Sequence, residues 1–455
     1  MNKYKPYLEY TSTGINWLGD IPKGWRVGGL TKFLDNIVDY RGKTPKKVDE
    51  GVFLVTARNI KDGNINYELS HEYIKIEEYE TVMRRGKPKI GDVLFTTEAP
   101  LGEVANVDRE DIALAQRIIK FRAMPEHLDN YYLKYWMLSH PFQSNLKTFA
   151  TGSTAEGIKA SKLSSLQVIL PTIEEQITIV RFLNKKIPEI NYLVENKYRL
   201  IDLLEQQRQS IITEAVTKGL NPNVKMKDSG VEWIGEIPEH WSILALKHIA
   251  SEKKHSFVDG PFGSDLKNEE YVDSGVPVIQ LNNIKNGDLR VINMNFVTKE
   301  KSEQLKRHIA YPGDLVIAKM ASPIARSAVV PKTYENYVIV ADCIKLKLKE
   351  NYLNHYINFA MNTPFTIAQA ESFANGTTRS RVNLSIIKNL KLPIPNFEEQ
   401  KEIASYLTLK VSEVNNVIKA VENQIQKLKE YRQSLIYEAV TGKIDVRDME
   451  LDEVR

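Results

Sequence analysis

Only one cysteine occurs in the 455 residues, so no disulfide can form within the chain. That residue, Cys343, lies in the alternating run D-C-I-K-L-K-L-K, which reads as a strand with Cys343 as one of its smaller side chains. No His or Asp constellation accompanies it, so a structural role is expected. Long apolar runs are missing too: none approaches the roughly 18 residues that a membrane-spanning helix needs, and no signal-peptide pattern opens the chain. A cytoplasmic location is the expectation. The motifs that bind nucleotides, cofactors and metals are absent as well, with no G-x-x-x-x-G-K-[ST] loop, no G-x-G-x-x-G turn, and no H-E-x-x-H or paired-cysteine site. There is no N-P-P-Y or D-P-P-Y tetrapeptide of the kind an amino-methylating enzyme uses, and no paired-carboxylate and lysine nuclease core. His71 followed by Glu72 has no supporting partners. Catalysis by this chain alone is therefore not expected, and recognition is.

What is present is duplication. P-T-I-E-E-Q at Pro171 and R-Q-S-I-I-T-E-A-V-T at Arg208 to Thr217 return as P-N-F-E-E-Q at Pro395 and R-Q-S-L-I-Y-E-A-V-T at Arg432 to Thr441, at constant offset. Ahead of each, G-I-N-W-L-G-D-I-P-K-G-W at Gly14 to Trp25 answers G-V-E-W-I-G-E-I-P-E-H-W at Gly230 to Trp241. The repeat is about half the chain, far longer than the roughly 20 to 50 residues of a solenoid unit. At 42% hydrophobic content, two full cores can be buried.

The repeated closing stretches read as long helices. Thr172 with Glu175, and Asn396 with Glu399, form capping-box patterns at equivalent points. Apolar residues then recur at alternating steps of four and three: Leu407, Val411, Val414, Ile418, Val421, Ile425, Leu428 and, after Arg432, Leu435. This is a heptad seam of about four heptads. The first copy keeps the frame through Leu183, Ile187, Ile190, Val194, Ile201, Leu204 and Ile211, interrupted by Lys197 and Arg208. Pro188 should kink or divide that helix, because proline loses a backbone hydrogen bond and clashes with the preceding turn. A short helix and then a long one of about 45 Å from Pro188 to Thr217 are predicted. Two such helices most economically pack as an antiparallel pair that acts as a ruler. The alternatives are that each packs on its own domain, or that the seam joins two chains.

The remainder reads as short strands and turns. G-V-F-L-V-T-A-R-N-I-K-D-G-N-I from Gly51 answers G-V-P-V-I-Q-L-N-N-I-K-N-G-D-L from Gly275, each a strand, an Asn-Ile-Lys turn and a hairpin. I-G-D-V-L-F-T-T from Ile90 and P-G-D-L-V-I-A-K from Pro312 are Gly-Asp turns opening apolar strands. The loops F-A-T-G-S-T-A-E-G-I from Phe149 and F-A-N-G-T-T-R-S-R-V from Phe373 carry the N–H and O–H donors that suit a phosphate backbone. The net charge of +4 says little, but basic residues cluster beside Gly, Pro and Ser. These clusters are Arg41, Lys43, Lys46 and Lys47; Arg84, Arg85, Lys87 and Lys89; Lys253, Lys254 and His255; and Arg379 with Arg381. Their recurrence in both halves points to nucleic acid, since loop Lys and Arg that neutralise phosphates dominate affinity for DNA.

These features together, P-x-x-E-E-Q, R-Q-S-[IL]-I-x-E-A-V-T, W-[LI]-G-[DE]-I-P-x-x-W and the G-D-[VL] strand starts, resemble the specificity subunit of a type I restriction-modification system over nearly the whole chain. The resemblance implies an α+β, pseudo-two-fold chain in which two repeated target-recognition domains are joined by two long antiparallel helices, a coiled-coil spacer. Its expected bounds are domain 1 at 1–172, helix region 173–220, domain 2 at 221–395, helix region 396–446 and a tail at 447–455. It also implies that each domain reads one half of a bipartite, asymmetric site in double-stranded DNA, with the helices setting the gap. Partners would be two methylation subunits and, in the full complex, restriction subunits. The chain itself would hold no cofactor, with S-adenosylmethionine, and ATP with Mg for restriction, on the partners. Because Arg and Lys suit guanine, and Asn and Gln suit adenine, the expected base-contacting residues are Arg41, Lys43, Arg58, Asn59 and Lys61 in the first domain. In the second they are Lys267, Gln280, Asn282, Asn283, Lys285, Lys319 and Arg326. Ser153, Thr154, Thr377, Thr378, Arg379 and Arg381 are assigned to the DNA backbone. Glu98 stands where a base would be favoured, and it either accepts from cytosine N4 or faces solvent. A stand-alone, dimerising DNA-binding or scaffold protein, and a cryptic nuclease or methyltransferase, are the competing readings.

Overall fold

The computed structural model describes residues 4–40, 45–152, 156–285, 287–374 and 381–447. Four helices organise it: α1 (Asn130–Leu138), α2 (Ile173–Lys218), α3 (Asn354–Met361) and α4 (Phe397–Val440). The chain separates into two compact units, one formed by Met1–Tyr198 with Glu422–Arg455 and the other by Arg199–Val421. Each unit holds one globular repeat, the opening half of the long helix that follows it, and the closing half of the other long helix.

The first unit is built around a four-stranded antiparallel sheet in the order Leu101–Asn106, Val93–Thr97, Ile118–Ala123, Leu34–Asp39. Side chains alternate across a strand, and here both faces are covered. Val93, Phe95, Ile119 and Phe121 enter the core shared with the helices, whereas Leu94 and Ile118 enter a second core. That second core is closed by a smaller sheet in which Val52–Val55 runs parallel to Ile112–Leu114 and antiparallel to Tyr73–Ile74. The second unit repeats the plan: Leu315, Ile317, Ile344 and Leu346 face its helices, while Val316, Ala318 and Cys343 face a sheet whose Val276–Ile279 and Tyr337–Ile339 strands are parallel. Cys343 is thus a fully buried strand residue. Burial raises its thiol to about 12, so it stays protonated and unreactive.

The same parity buries a lysine in each unit. Lys120 and Lys345 sit at equivalent positions of the central strand, facing the smaller sheet. Lys120 is 3.3 Å from Asp92, which also takes two hydrogen bonds of 2.7 Å from Arg122 and one of 2.9 Å from the Lys89 N–H. Burial alone would raise the Asp92 carboxyl, but those hydrogen bonds and the charges of Lys120 and Arg122 outweigh it and hold the pKa below the usual carboxylate value. In the second unit Lys345 donates instead to the Ile309 carbonyl at 2.6 Å. The equivalent Asp314 accepts the Tyr311 N–H at 2.9 Å, and burial leaves its carboxyl raised. Both aspartates follow a glycine of positive φ, Gly91 at 88° and Gly313 at 91°, which turns the chain into the apolar strand as the Gly-Asp pattern predicts.

Each long helix starts at its predicted cap, and the first closes the full capping box. The Glu175 N–H donates to Thr172 Oγ1 at 3.3 Å, and Thr172 N and Oγ1 donate to the Glu175 carboxylate at 3.2 and 3.0 Å. The Glu399 N–H donates to Asn396 Oδ1 at 3.0 Å. The following glutamines, 0% and 1% exposed, fasten the helices to their modules. Gln176 donates to the carbonyls of His127 and Pro171 and accepts the Asp129 N–H at the start of α1; Gln400 donates to the Pro395 carbonyl and accepts the Leu353 N–H at the start of α3.

Burial along α4 follows the predicted seam: Leu407, Val411, Val414, Ile418, Val421, Ile425, Leu428 and Leu435 are all buried or half-buried. Within each unit the two long helices run antiparallel. In the first unit Lys197 donates to Gln424 at 2.5 Å while Arg432 donates to Asn191 at 2.8 Å; in the second, Arg208 donates to Asn415 at 2.5 Å. The polar interruptions of the seam are therefore clasps across it, and the stripe is used within the chain. One expectation fails: α2 is a single helix of 46 residues that continues through Pro188. Ile187 and Ile190 on either side are buried in the same core. Their burial, on the order of 1.5–3 kcal/mol each, offsets the roughly 3 kcal/mol that an interior proline costs.

The buried carboxylates make unequal demands. Asp92→Asn should lower unfolding free energy at pH 7 by about 3–5 kcal/mol, because it leaves buried cations unpaired. Asp314→Asn should change it by less than about 1 kcal/mol. What Asp92 contributes is present above its unfolded pKa and is lost as pH falls through its lowered folded value, whereas the ionisation penalty at Asp314 is relieved as pH falls through its raised one. Urea unfolding from pH 7 to pH 3 checks both.

Candidate nucleic-acid interface

In the first unit, the segment Thr56 to Ile65 makes a tight loop and hairpin. Ile60–Lys61 pairs with Asn64–Ile65 across Asp62 and Gly63, both at positive φ, as the Asp-Gly pair predicts. Ile60 and Ile65 are buried beneath it. Alternation then leaves Lys61 exposed, and Arg58, at the preceding turn, is exposed too. Asn59 is not. It is fully buried, its Oδ1 accepts from Thr56 N and Oγ1 at 2.9 Å each, and its Nδ2 donates to the carbonyls of Asn66 and Ser70 at 3.0 and 2.9 Å. All of its hydrogen-bonding capacity goes to closing the loop, so the expectation that it reads a base is corrected to a structural role.

The second unit repeats this construction. Asn283 Oδ1 accepts the Gln280 N–H at 2.9 Å and its Nδ2 donates to the Arg290 carbonyl at 3.0 Å. Asn282 and Lys285 are exposed and Gln280 is half-buried. Beneath the loop lies Arg326, 7% exposed, which donates to the carbonyls of Leu281 and Ile284 at 2.9 and 2.8 Å and to those of Met320, Ala321 and Pro323 at 3.0–3.3 Å. Burial lowers its pKa, yet five carbonyl dipoles answer the charge. Asn283 and Arg326 are therefore also corrected from base contacts to supports. By bonding both segments, Arg326 joins the Gln280–Lys285 loop to the turn at Met320, which bridges to the exposed Arg381. Lys319 is 7% exposed with its ammonium 3.6 Å from Asp259, so it too lies under this surface rather than on it. Lys267 is exposed. Arg41, Lys43, Ser153, Thr154, Thr377, Thr378 and Arg379 lie outside the described residues.

Three further features were not anticipated from the sequence. Glu98 pairs with Arg117 at 2.9 Å, and Arg381 pairs with Asp342 at 2.9 Å. Arg117 and Asp342 hold equivalent positions, immediately before the central strand of each sheet, so the two units present opposite charges there. The first-unit hairpin is also tied to α4, because Arg432, besides bonding Asn191, is 3.0 Å from the Asp62 carboxylate. Repetition was the available signal. Asn59 and Asn283 are retained in both copies, as a frame requires, whereas Arg58 faces Asn282, and Arg117 faces Asp342, across the repeat. Among the described residues, no group of three or more His, Cys, Asp or Glu could hold a metal ion, and no helix is long and apolar enough to cross a membrane.

Comparison with known proteins agrees with this layout. The model of the type I restriction modification DNA specificity domain matches residues 29–199 and 263–427. The MjaVIII type I restriction enzyme specificity subunit of Methanocaldococcus jannaschii is 21% identical over 439 residues, covering 94% of this chain and 95% of its own. The putative MjaX specificity subunit of the same organism is 25% identical over 446 residues, covering 94% and 96%. A solved chain, from a study of complex assembly and conformational transition of the type I R-M system, superposes with a TM-score of 0.67 at 17% identity, over 93% of this chain and 99% of that one. At that identity the likeness is one of fold.

If the loop asparagines are frame and their exposed neighbours are not, substitutions should separate cleanly. Asn59→Ala should cost roughly 2–4 kcal/mol by leaving buried groups unpaired, whereas Arg58→Ala should stay within about 0.5 kcal/mol. Thermal and urea unfolding of the two variants check this.

Proposed function

The chain belongs to the type I restriction modification DNA specificity family, and on that premise we propose that it is the DNA-reading subunit of a type I restriction-modification complex and performs none of the catalytic steps. Each unit reads one half of a bipartite, asymmetric site in double-stranded DNA. Two readers carried on one chain gain affinity jointly and fix the separation of the half-sites. The observation that carries this reading is the pair of equivalent loops. Lys61 and Lys285 are the same residue in both, which suits phosphate contact, where no sequence information is needed. Arg58 and Asn282 are both exposed and differ, which suits base reading, Arg toward guanine O6 and N7 and Asn toward adenine N6 and N7.

Gln280, Lys267 and Arg381 join them as proposed DNA contacts, and so, on sequence grounds, do Arg41, Lys43, Ser153, Thr154, Thr377, Thr378 and Arg379. Asn59, Asn283, Arg326 and Lys319 act instead as positioning residues. Methylation is delivered by two partner subunits that supply S-adenosylmethionine, and the target base is extruded from the duplex to reach them. Restriction subunits supply ATP and Mg.

Base-resolution methylation mapping in a methylation-free host tests the reading. The chain expressed with its cognate methylation subunit should yield a split, asymmetric, gapped motif that the methylation subunit alone does not produce. A formed complex that methylates no such motif would overturn the proposal.

A further inference from the structure

Each unit has the same place beside the closing turn of a long helix, and the two are filled differently. In the first unit two chain segments share it, residues 4–10 and 442–447. They are held together by the Asp445 N–H donating to the Lys5 carbonyl at 2.7 Å and the Tyr10 hydroxyl donating to the Gly442 carbonyl at 2.8 Å. Tyr7, Ile444 and Val446 are buried there, and Tyr4 packs edge-on against Phe182 with ring centroids 5.5 Å apart, leaving Phe182 only 1% exposed.

In the second unit a single segment, residues 219–225, crosses the same place on its way from α2 to the strand Met226–Asp228. Leu220 has Tyr4's position in the repeat and Tyr406 has that of Phe182, six residues after the docking glutamine. The smaller leucine does not cover the ring. Tyr406 is 38% exposed and Leu220 44% exposed. Between them opens a cavity of about 550 Å³ whose walls include Ile211 and Pro222 and which is edged by Glu214, Glu236 and Lys218. An aromatic floor of this kind, half uncovered and large enough for a bulky side chain, is a natural anchor seat in a protein interface.

From this difference we propose that the second unit's seat receives an extended segment of the methylation subunit, which lays an aromatic side chain on Tyr406 and turns a neighbouring basic residue toward Glu214 and Glu236. The first unit supplies the chemical precedent, since Tyr4, which covers Phe182 there, is followed directly by Lys5. The two carboxylates at the rim, against the single cation Lys218, favour a basic segment. The seat in the first unit is closed by its own chain, so docking of this kind is confined to the second unit. The inference rests on the proposed function for the identity of the partner, and on the geometry of the second unit for the seat.

Leu220 replaced by p-benzoylphenylalanine in the full chain, irradiated in complex with the methylation subunit, tests it. The expected product is a cross-link to one short methylation-subunit peptide in which an aromatic residue adjoins Lys or Arg. Tyr406→Ala and, separately, the rim variant Glu214→Lys/Glu236→Lys should each weaken assembly at least tenfold, and the rim pair is too exposed to act through the fold. A cross-link to a second copy of this chain would overturn the proposal, as would unchanged assembly affinity in both variants. Either result can coexist with a split methylation motif, so failure here is distinguishable from failure of the specificity reading.

Discussion

Everything in each unit is referred to one buried amide. Gln176 and Gln400 are the fourth residue of their helices, out of water, and bond the backbone just before the short helix of their own module. A buried amide that loses its partners costs on the order of 1–3 kcal/mol per unpaired group, so a long helix cannot swing against its module without breaking these bonds. The cap beside each glutamine fixes where the helix begins. Start point and attachment together set which residues reach the seam, and hence the clasps of Arg432 on Asn191 and Arg208 on Asn415. In the first unit the chain of contacts continues from Arg432 through Asp62 to the hairpin that carries Lys61. The proposed reading surface of that unit is thus tied to the helix frame through a short series of named bonds.

On that frame the two units differ where recognition would require it. Both loops are closed by an asparagine that accepts the N–H three residues before it and donates to the carbonyl seven residues after it, yet the exposed residue before it is Arg58 in one and Asn282 in the other. Glu103 and Arg326, which occupy corresponding stretches after the apolar strand, support the loops by opposite means: a carboxylate accepting the Asp62 N–H in the first unit, a guanidinium donating to the Leu281 and Ile284 carbonyls in the second. Burial raises the Glu103 pKa and lowers that of Arg326. A duplicated scaffold can therefore diverge at its reading surface while its interior keeps the same geometry by different chemistry.

Much of this was legible in the sequence, because the signals were local. The repeat, the capping boxes, the Asp-Gly hairpin, the Gly-Asp strand starts and the seam all follow from residues a few positions apart. Pro188 misled because its cost is local and its compensation is not: Ile187 and Ile190 gain their burial from residues far along the chain. The same limit explains Arg326, whose residue type suits a base edge but whose partners include the Leu281 and Ile284 carbonyls, 45 and 42 residues back. Asn59 and Asn283 find their partners only 3 to 11 residues away, but their residue type suits a base edge and a closed loop equally. Retention of the asparagine in both copies was the clue that it belongs to the frame.

The central claim is that frame and reader are separable within one unit. It is tested most directly by giving the first loop the second loop's proposed reading residue, Arg58→Asn, while Thr56, Asn59 and Lys61 stay, and mapping the methylated motif of the resulting complex at base resolution. The account predicts a motif altered at one half-site only, with the other half and the gap unchanged. An unaltered motif, or one whose gap or second half changes as well, would contradict it.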